Sequence, residues 1–261
     1  MTYLTRRGGG ILMAVAFIVG AVEFLPAYQF EDRINRVLPA PWHMSMSGTI
    51  WDGFGVLQAG QTADALTIPL TWKYQPMALV QGRLAWKVVP TSPSLSGSLK
   101  IGAGWRSVTF SEVAVTIDAG ALQRAIPVLA LFAPSGTLHV STPGDARLEL
   151  DYGNELRVSG EANLNADAFG LTRFSPQTLG SYQLKLTARD STIDYLFVQS
   201  SGALKLDGGG SIQTSAPGQI AYLGHITPSP ALPENLLAEL KSIGQPMADG
   251  RLRIDWQARL Q

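Results

Sequence analysis

The chain has 261 residues, of which 46% are hydrophobic, with 27 glycines, 16 prolines and no cysteine. Twenty lysines and arginines balance twenty aspartates and glutamates, so no global field draws nucleic acid or an acidic partner. Without cysteine there are no disulfides, no thiolate catalysis and no thiolate-bound metal, and an apolar chain rich in glycine and proline reads as many short strands joined by turns, not as disorder.

MTYLTRR precedes GGGILMAVAFIVGAV, an uncharged stretch from Gly8 to Val22 that stops at Glu23. Counted through Leu25, the segment gives about eighteen residues and ~27 Å of helix, which just spans a bilayer core of ~30 Å. Arg6 and Arg7 predict a cytoplasmic N-terminus, with everything after Leu25 on the far side of the membrane. A cleaved signal peptide is the competing reading, because Val19-Gly20-Ala21 supplies small residues near a cleavage point. The expected organisation is a tail and transmembrane anchor over 1–25, a tether over 26–41 and a β-rich domain over 42–261. Within the tether, EDRINRVL (Glu31 to Leu38) predicts two helical turns halted by Pro39.

From Trp42 onward the apolar period becomes two. In LTIPLTWKY, Leu66, Ile68, Leu70, Trp72 and Tyr74 alternate with polar or small residues, the signature of a half-buried strand. Pro69 lacks the ladder N–H, which predicts an edge strand or a bulge there. The same alternation recurs at Leu84, Trp86 and Val88, at Val113, Val115 and Ile117, and at Leu156, Val158, Ala162 and Leu164. It returns at Tyr182, Leu184 and Leu186, and from Leu252 through Leu260. Helices are few. Asp118 is placed to cap AGALQRAIPVLALF, which Pro127 limits or kinks. PENLLAELKSIG (Pro233 to Gly244) has proline in its first turn and a stripe of Leu236, Leu237, Leu240 and Ile243 that would cover one end of the sheet. Gly244 is expected to end that helix in a left-handed conformation.

The predicted fold is mainly β: a curved or partly closed antiparallel sheet of six to ten strands with two short helices. Ser-Gly followed by alternating apolar residues starts at Ser47, Ser96, Ser135, Ser159 and Ser201; the irregular spacing rules out a fixed-period solenoid and predicts glycines that let strands start from turns or bulges. In MSGTIWDGFG, Asp52-Gly53 reads as a tight hairpin turn with Trp51 packed inward beside it. The competing reading is a sugar or cation site at an exposed indole.

Catalytic and metal-binding residues are not identifiable. His43, His139 and His225 are far apart, and none has a partner at metal-ligand spacing. There is no G-x-S-x-G elbow. Gly208 to Gly210 lacks a phosphate-loop lysine and reads as a hairpin connection, and Asp190 in RDSTID reads as the start of a turn rather than as half of a carboxylate pair with Asp194. No cofactor is expected. The six tryptophans, at 42, 51, 72, 86, 105 and 256, read as core residues of strands, or else as the wall of an apolar groove. Lining residues of such a face are expected among Leu66, Leu70, Trp72, Leu84, Trp86, Leu156, Val158, Leu184 and Leu252.

The order of SGTIWDGFG, PLTWKYQPMALVQGRLAWKV, TLGSYQLKL, SSGALKLDGGGSI and the closing LLAELKSIGQPMADGRLRIDWQARL resembles the type II secretion system protein N family. These are accessory components of the machine that exports folded proteins across the Gram-negative outer membrane. The resemblance implies an inner-membrane location with the bulk of the chain periplasmic. It also implies contact with other secretion subunits of the platform or pseudopilus, and no catalytic residues. The first half, W-x-x-x-P followed by a Gly-Arg strand, also resembles AsmA-like envelope proteins, which implies instead a β groove able to hold lipid.

Overall fold

The computed structural model describes residues 24–38, 41–59, 65–104, 107–125, 127–144, 148–152, 156–213 and 219–259. The apolar stretch Gly8 to Val22 and Trp105 lie outside them. Among the described residues no helix is long and apolar enough to cross a membrane.

Fifteen strands form one antiparallel sheet among the described residues. The first seven are β1 (Trp42–Gly48), β2 (Asp52–Ala59), β3 (Leu66–Tyr74), β4 (Leu84–Ser92), β5 (Leu95–Ala103), β6 (Ser107–Asp118) and β7 (Pro134–Ser141). Then follow β8 (Leu148–Tyr152), β9 (Leu156–Leu171), β10 (Thr178–Arg189), β11 (Thr192–Gly202) and β12 (Leu204–Gln213). The last are β13 (Gln219–Pro228), β14 (Gln245–Pro246) and β15 (Leu252–Arg259). Each strand lies beside its predecessor, with two departures: β7 and β8 lie end to end between β6 and β9, and β15 precedes β14 in the order. The sheet is wider than six to ten strands and does not close, since β1 ends it on one side and β14–β15 on the other.

The period-two pattern becomes one apolar face because directly paired residues share a face. Val115, Val140, Leu164, Leu184 and Phe197 stand opposite one another across five strands. A second row runs Leu186, Tyr195, Gly210, Tyr222 and Trp256. Two clusters seal this face at the same end of the strands. One joins Leu179, Leu204, Ile226, Leu252 and Ile254 to Leu232 and to Leu236 of the Glu234–Ile243 helix. The other joins Ala59, Leu66 and Ile68 to Ala121. Full burial of a leucine-sized side chain stabilises by roughly 1.5–3 kcal/mol, so these end clusters contribute much of the packing.

Several local expectations change. Asp52 and Gly53 belong to β2, and the turn before them is built by Thr49. The Thr49 N–H donates to the Asp52 carbonyl at 3.0 Å, while the Thr49 hydroxyl accepts from the Trp51 and Asp52 N–H groups at 3.3 and 3.1 Å. Gly208–Gly210 lie inside β12, not in a hairpin connection. Pro69 is in an inner strand without a register shift, at the point where the β3–β4 pairing ends at Leu70. The stretch after Asp118 breaks into three short turns, Ala119–Ala121, Leu122–Ala125 and Pro127–Leu131, although Asp118 caps it as expected by accepting from the Gly120 N–H at 2.9 Å. Gly244 is extended (φ −109°, ψ 151°) because the chain passes directly into β14. A Cβ there would meet Ile254 Cδ1 at 2.6 Å, so glycine serves close packing and not handedness. Ile243 leaves the helix stripe and is exposed.

The glycines of all five Ser-Gly pairs, Gly48, Gly97, Gly136, Gly160 and Gly202, have positive φ. They sit within strands or at strand ends more than at strand starts; Gly136, for example, occupies a register shift in β7. Turns and bulges of this kind increase local twist.

The two sheet edges are treated differently. The Glu31–Val37 helix lies along β1 and occupies its free backbone groups. The Asn35 amide donates to the Met44 carbonyl at 2.9 Å and accepts from the Met44 N–H at 2.7 Å, while the Glu31 carboxylate accepts from the Met46 N–H at 3.1 Å. On the other side, β14 covers β15 only at Leu252 and Arg253.

Candidate functional site

Neither end of the sheet assembles a catalytic centre from the residues singled out above. His43, His139 and His225 fall on β1, β7 and β13, separated by intervening strands. His139 accepts from or donates to the Thr116 hydroxyl at 2.9 Å and lies 3.4 Å from an Asp167 carboxylate oxygen, both solvent-exposed. Asp190 occupies the β10–β11 turn with φ 56°, as a turn residue should, and Asp194 is exposed on β11. No three His, Cys, Asp or Glu side chains converge among the described residues.

What the strands do assemble is aromatic. At the end away from the sealed clusters, the loop Thr49–Trp51 is held from beneath by two indoles. Trp72 Nε1 donates to the Thr49 carbonyl at 3.0 Å, and Trp86 Nε1 donates to the Ile50 carbonyl at 2.6 Å. The Tyr74 ring stands edge-on between Trp51 (4.6 Å between centroids) and Trp86 (6.0 Å), and its buried hydroxyl has no hydrogen-bond partner. The Ile50 N–H donates to the Leu25 carbonyl at 3.1 Å, so this rim is also where the described chain begins. Trp51 is therefore one member of an aromatic brace. Trp72, 5% exposed, is its buried centre.

Trp72 fits because glycine lies beneath it. A Cβ on Gly53 would come within 2.4 Å of the Trp72 ring, and one on Gly55 within 3.1 Å. The second half repeats the device: Tyr195 covers Gly210 and Tyr222 covers Gly224, each with its hydroxyl 2.6 Å from where a Cβ would sit. An aromatic ring over a strand glycine restores the packing that the missing side chain forfeits. Phe169, Tyr182, Phe197 and Tyr222 continue as a ladder of edge-to-face contacts with centroids 6.1–6.2 Å apart. Sequence reading missed these pairs; the available signal was a glycine on one strand with tyrosine or tryptophan at the same alternation on its neighbour.

The tyrosine hydroxyls tie the ladder to the backbone. Tyr182 donates to the Leu204 carbonyl at 2.9 Å, Tyr195 to Ala221 at 2.8 Å and Tyr222 to Asp207 at 3.0 Å. Burial pushes Tyr182 and Tyr222 from 10.0 up to about 12, with Tyr195 and Asp207 adding to the rise at Tyr222. The folded chain thus holds these protons more tightly than the unfolded chain. Their contribution to stability is complete below pH 10 and is lost as pH rises towards about 12. Denaturation midpoints measured across that window should fall steadily, and Tyr182→Phe should flatten the slope.

The expected lining residues other than Leu156, which pairs with Tyr152 between β8 and β9, share the apolar face. Leu66, Trp72 and Leu252 are buried, Leu70, Trp86, Val158 and Leu184 are half-buried, and Leu84 is exposed.

Comparison with known proteins gives this architecture a family. Residues 42–255, nearly the whole sheet, match the family described as Type II secretion system (T2SS), protein N. The chain belongs to that family. It is 27% identical to the type II secretion system protein N of Aeromonas hydrophila over 262 residues, covering 96% of this chain and 98% of that one. No solved structure matches it. The T2SS protein N match therefore takes in the aromatic brace, the tyrosine ladder and the sealed end of the sheet.

Proposed function

We propose that this chain is an accessory structural subunit of the type II secretion system. On this reading it is anchored in the inner membrane by the Gly8–Val22 segment, with its sheet in the periplasm. It acts by protein–protein contact in the export of folded proteins across the outer membrane, without catalysis. Family membership supplies the system. The observation that carries the mode of contact is the unequal treatment of the two sheet edges.

Side chains of the Glu31–Val37 helix occupy the free groups of β1, the protection that natural edge strands receive against unwanted pairing. Beyond Arg253, β15 has no such cover among the described residues. The Arg251 carbonyl accepts from the Met247 N–H on the β14 side at 2.8 Å. Strand residues alternate in direction, so Asp255 and Gln257 turn their N–H and C=O groups the same way, outward. An extended segment of another secretion subunit can add there as a further strand, with main-chain hydrogen bonds for affinity.

A photo-crosslinking residue at Gln257 in the full chain should capture a secretion subunit in secreting cells, whereas one at the exposed Asp194 should not. Asp255→Pro removes an outward N–H from an edge strand and should abolish both the adduct and secretion while the fold persists. Normal secretion by a folded Asp255→Pro chain would remove the edge from the mechanism.

A further inference from the structure

We propose that the β3–β4 loop and the rim beside it form a second, shallow membrane contact, seated in the headgroup layer of an anionic bilayer. The proposal rests on the reading of Gly8–Val22 as the membrane anchor. The loop is a 3-10 turn, Pro76–Gln81, that carries Met77, Leu79 and Val80 at 77%, 55% and 82% exposure. It is not a frayed end. Ala78 N–H donates to the Gln75 carbonyl, Arg83 N–H to Ala78 and Gly82 N–H to Leu79, at 3.1, 3.2 and 2.8 Å, and Gly82 closes the turn in the left-handed region at φ 68°. An ordered turn that holds three apolar side chains in water is built for something other than the protein's own core.

Charge says what kind of surface suits it. Lys73 and Lys87 are directly opposed across β3 and β4, and both are exposed. Asp52 stands opposite Lys73 on β2, whereas Lys87 faces a like charge on both sides, Lys73 and Lys100. Like charges in direct register are destabilising, and Arg83 adds a further cation at the end of the loop. Basic residues flanking exposed apolar ones are the pattern of interfacial binding to anionic lipid. Trp51 and Trp86, half-buried rings of the kind that suit that depth, stand at the same rim on either side of Tyr74.

Chain connectivity says why the surface would be near. Pro26 bridges to Thr49, and the Ile50 N–H holds the Leu25 carbonyl. The uncharged stretch ends at Val22, two residues before Phe24, which is itself 75% exposed. Two residues span at most ~7 Å. A bilayer that holds the stretch therefore lies within reach of this rim, and not of the opposite end, where the helix-covered clusters sit.

The chain contains no cysteine, so single cysteines can be placed at Met77 and Val80, with Ser201 at the opposite end as control. The full chain is labelled with an environment-sensitive fluorophore. It is then reconstituted in phosphatidylethanolamine vesicles containing phosphatidylglycerol and challenged with a shallow nitroxide lipid or with aqueous iodide. Labels at 77 and 80 should be quenched several-fold more by the nitroxide lipid than by iodide, and the control the reverse. Lys73→Glu with Lys87→Glu should reduce the nitroxide quenching while the chain stays in the carbonate pellet. Iodide access at 77 and 80 equal to the control, in pelleted chain, overturns the proposal and leaves the anchor standing; protection from both quenchers overturns it equally. Release by carbonate, with nitroxide quenching intact in the vesicle-bound fraction before the wash, upholds the loop contact and defeats the anchor.

Discussion

Trp72→Ala should lower stability by ~3–5 kcal/mol, the range for truncating a large buried aromatic residue, and it should exceed every other tryptophan truncation in the brace. Three losses coincide. The indole is 5% exposed, so its whole area goes from packing to cavity. Its Nε1 no longer donates to Thr49 at 3.0 Å, which leaves Trp86 as the one indole still holding the loop beside its backbone bonds. Gly53 and Gly55 lose the ring that covers them, leaving two adjacent strands thin on one face. Trp72→Phe keeps most of the ring and should cost less, with the lost hydrogen bond contributing ~0.5–1.5 kcal/mol. Trp51→Ala removes a half-buried ring at the loop and should fall well below Trp72→Ala, while exposed Asp52→Ala should stay within ~0.5 kcal/mol. Urea denaturation with an unchanged slope gives the order directly. Trp51→Ala costing more than Trp72→Ala would mean that the brace is organised around its outer member instead.

Gly97→Ala should be nearly as damaging although it adds only one carbon. Gly97 has φ +121°, and a Cβ there would lie 2.0 Å from the Ala114 carbonyl oxygen on the neighbouring strand. A backbone at that φ, beyond the left-handed helical well, costs an L-residue ~1–3 kcal/mol, and displacing a paired strand adds the ~1–3 kcal/mol typical of overpacking. Gly82→Ala sets a lower bound on the conformational part, because its φ of +68° lies in the milder left-handed helical well and nothing lies within 4 Å of the added carbon; it should cost ~1–2 kcal/mol, less than Gly97→Ala. Equal denaturation midpoints for the two variants would place the whole penalty in φ and none in the strand contact.

The strands were legible because a period of two is a strong signal when one face of a sheet is buried. The Leu66–Tyr74 and Leu252–Arg259 alternations both became strands with those residues on one face. Family membership was legible too, from the order of ordinary segments more than from any one of them. Glycine chemistry was less so. Asp52-Gly53 and Gly208–Gly210 carry turn composition yet lie within strands, because their glycines answer to a ring or a carbonyl on the next strand, a partner that local sequence does not name. The edge cover by Asn35 and Glu31 was hidden for the same reason: a helix can be read from EDRINRV, but not the strand it lies along.

The neighbour-by-neighbour order of the sheet bears on how the chain acquires its structure. From β1 to β7 and again from β9 to β13, each strand finds its partner in the segment made just before it. Loop closure is short at each step, so little entropy is lost before a contact forms. A chain emerging end-first from a ribosome or a membrane pore can therefore add strands as they appear, with a single growing edge exposed at any moment. Two places depart from that order: β8 pairs back with β6 while β9 runs on to β7, and β15 must pass inside β14 to reach β13. Truncation between β7 and β13 should then yield shorter sheets with native pairing upstream of the cut, while loss of the C-terminal segment leaves β13 as the terminal strand.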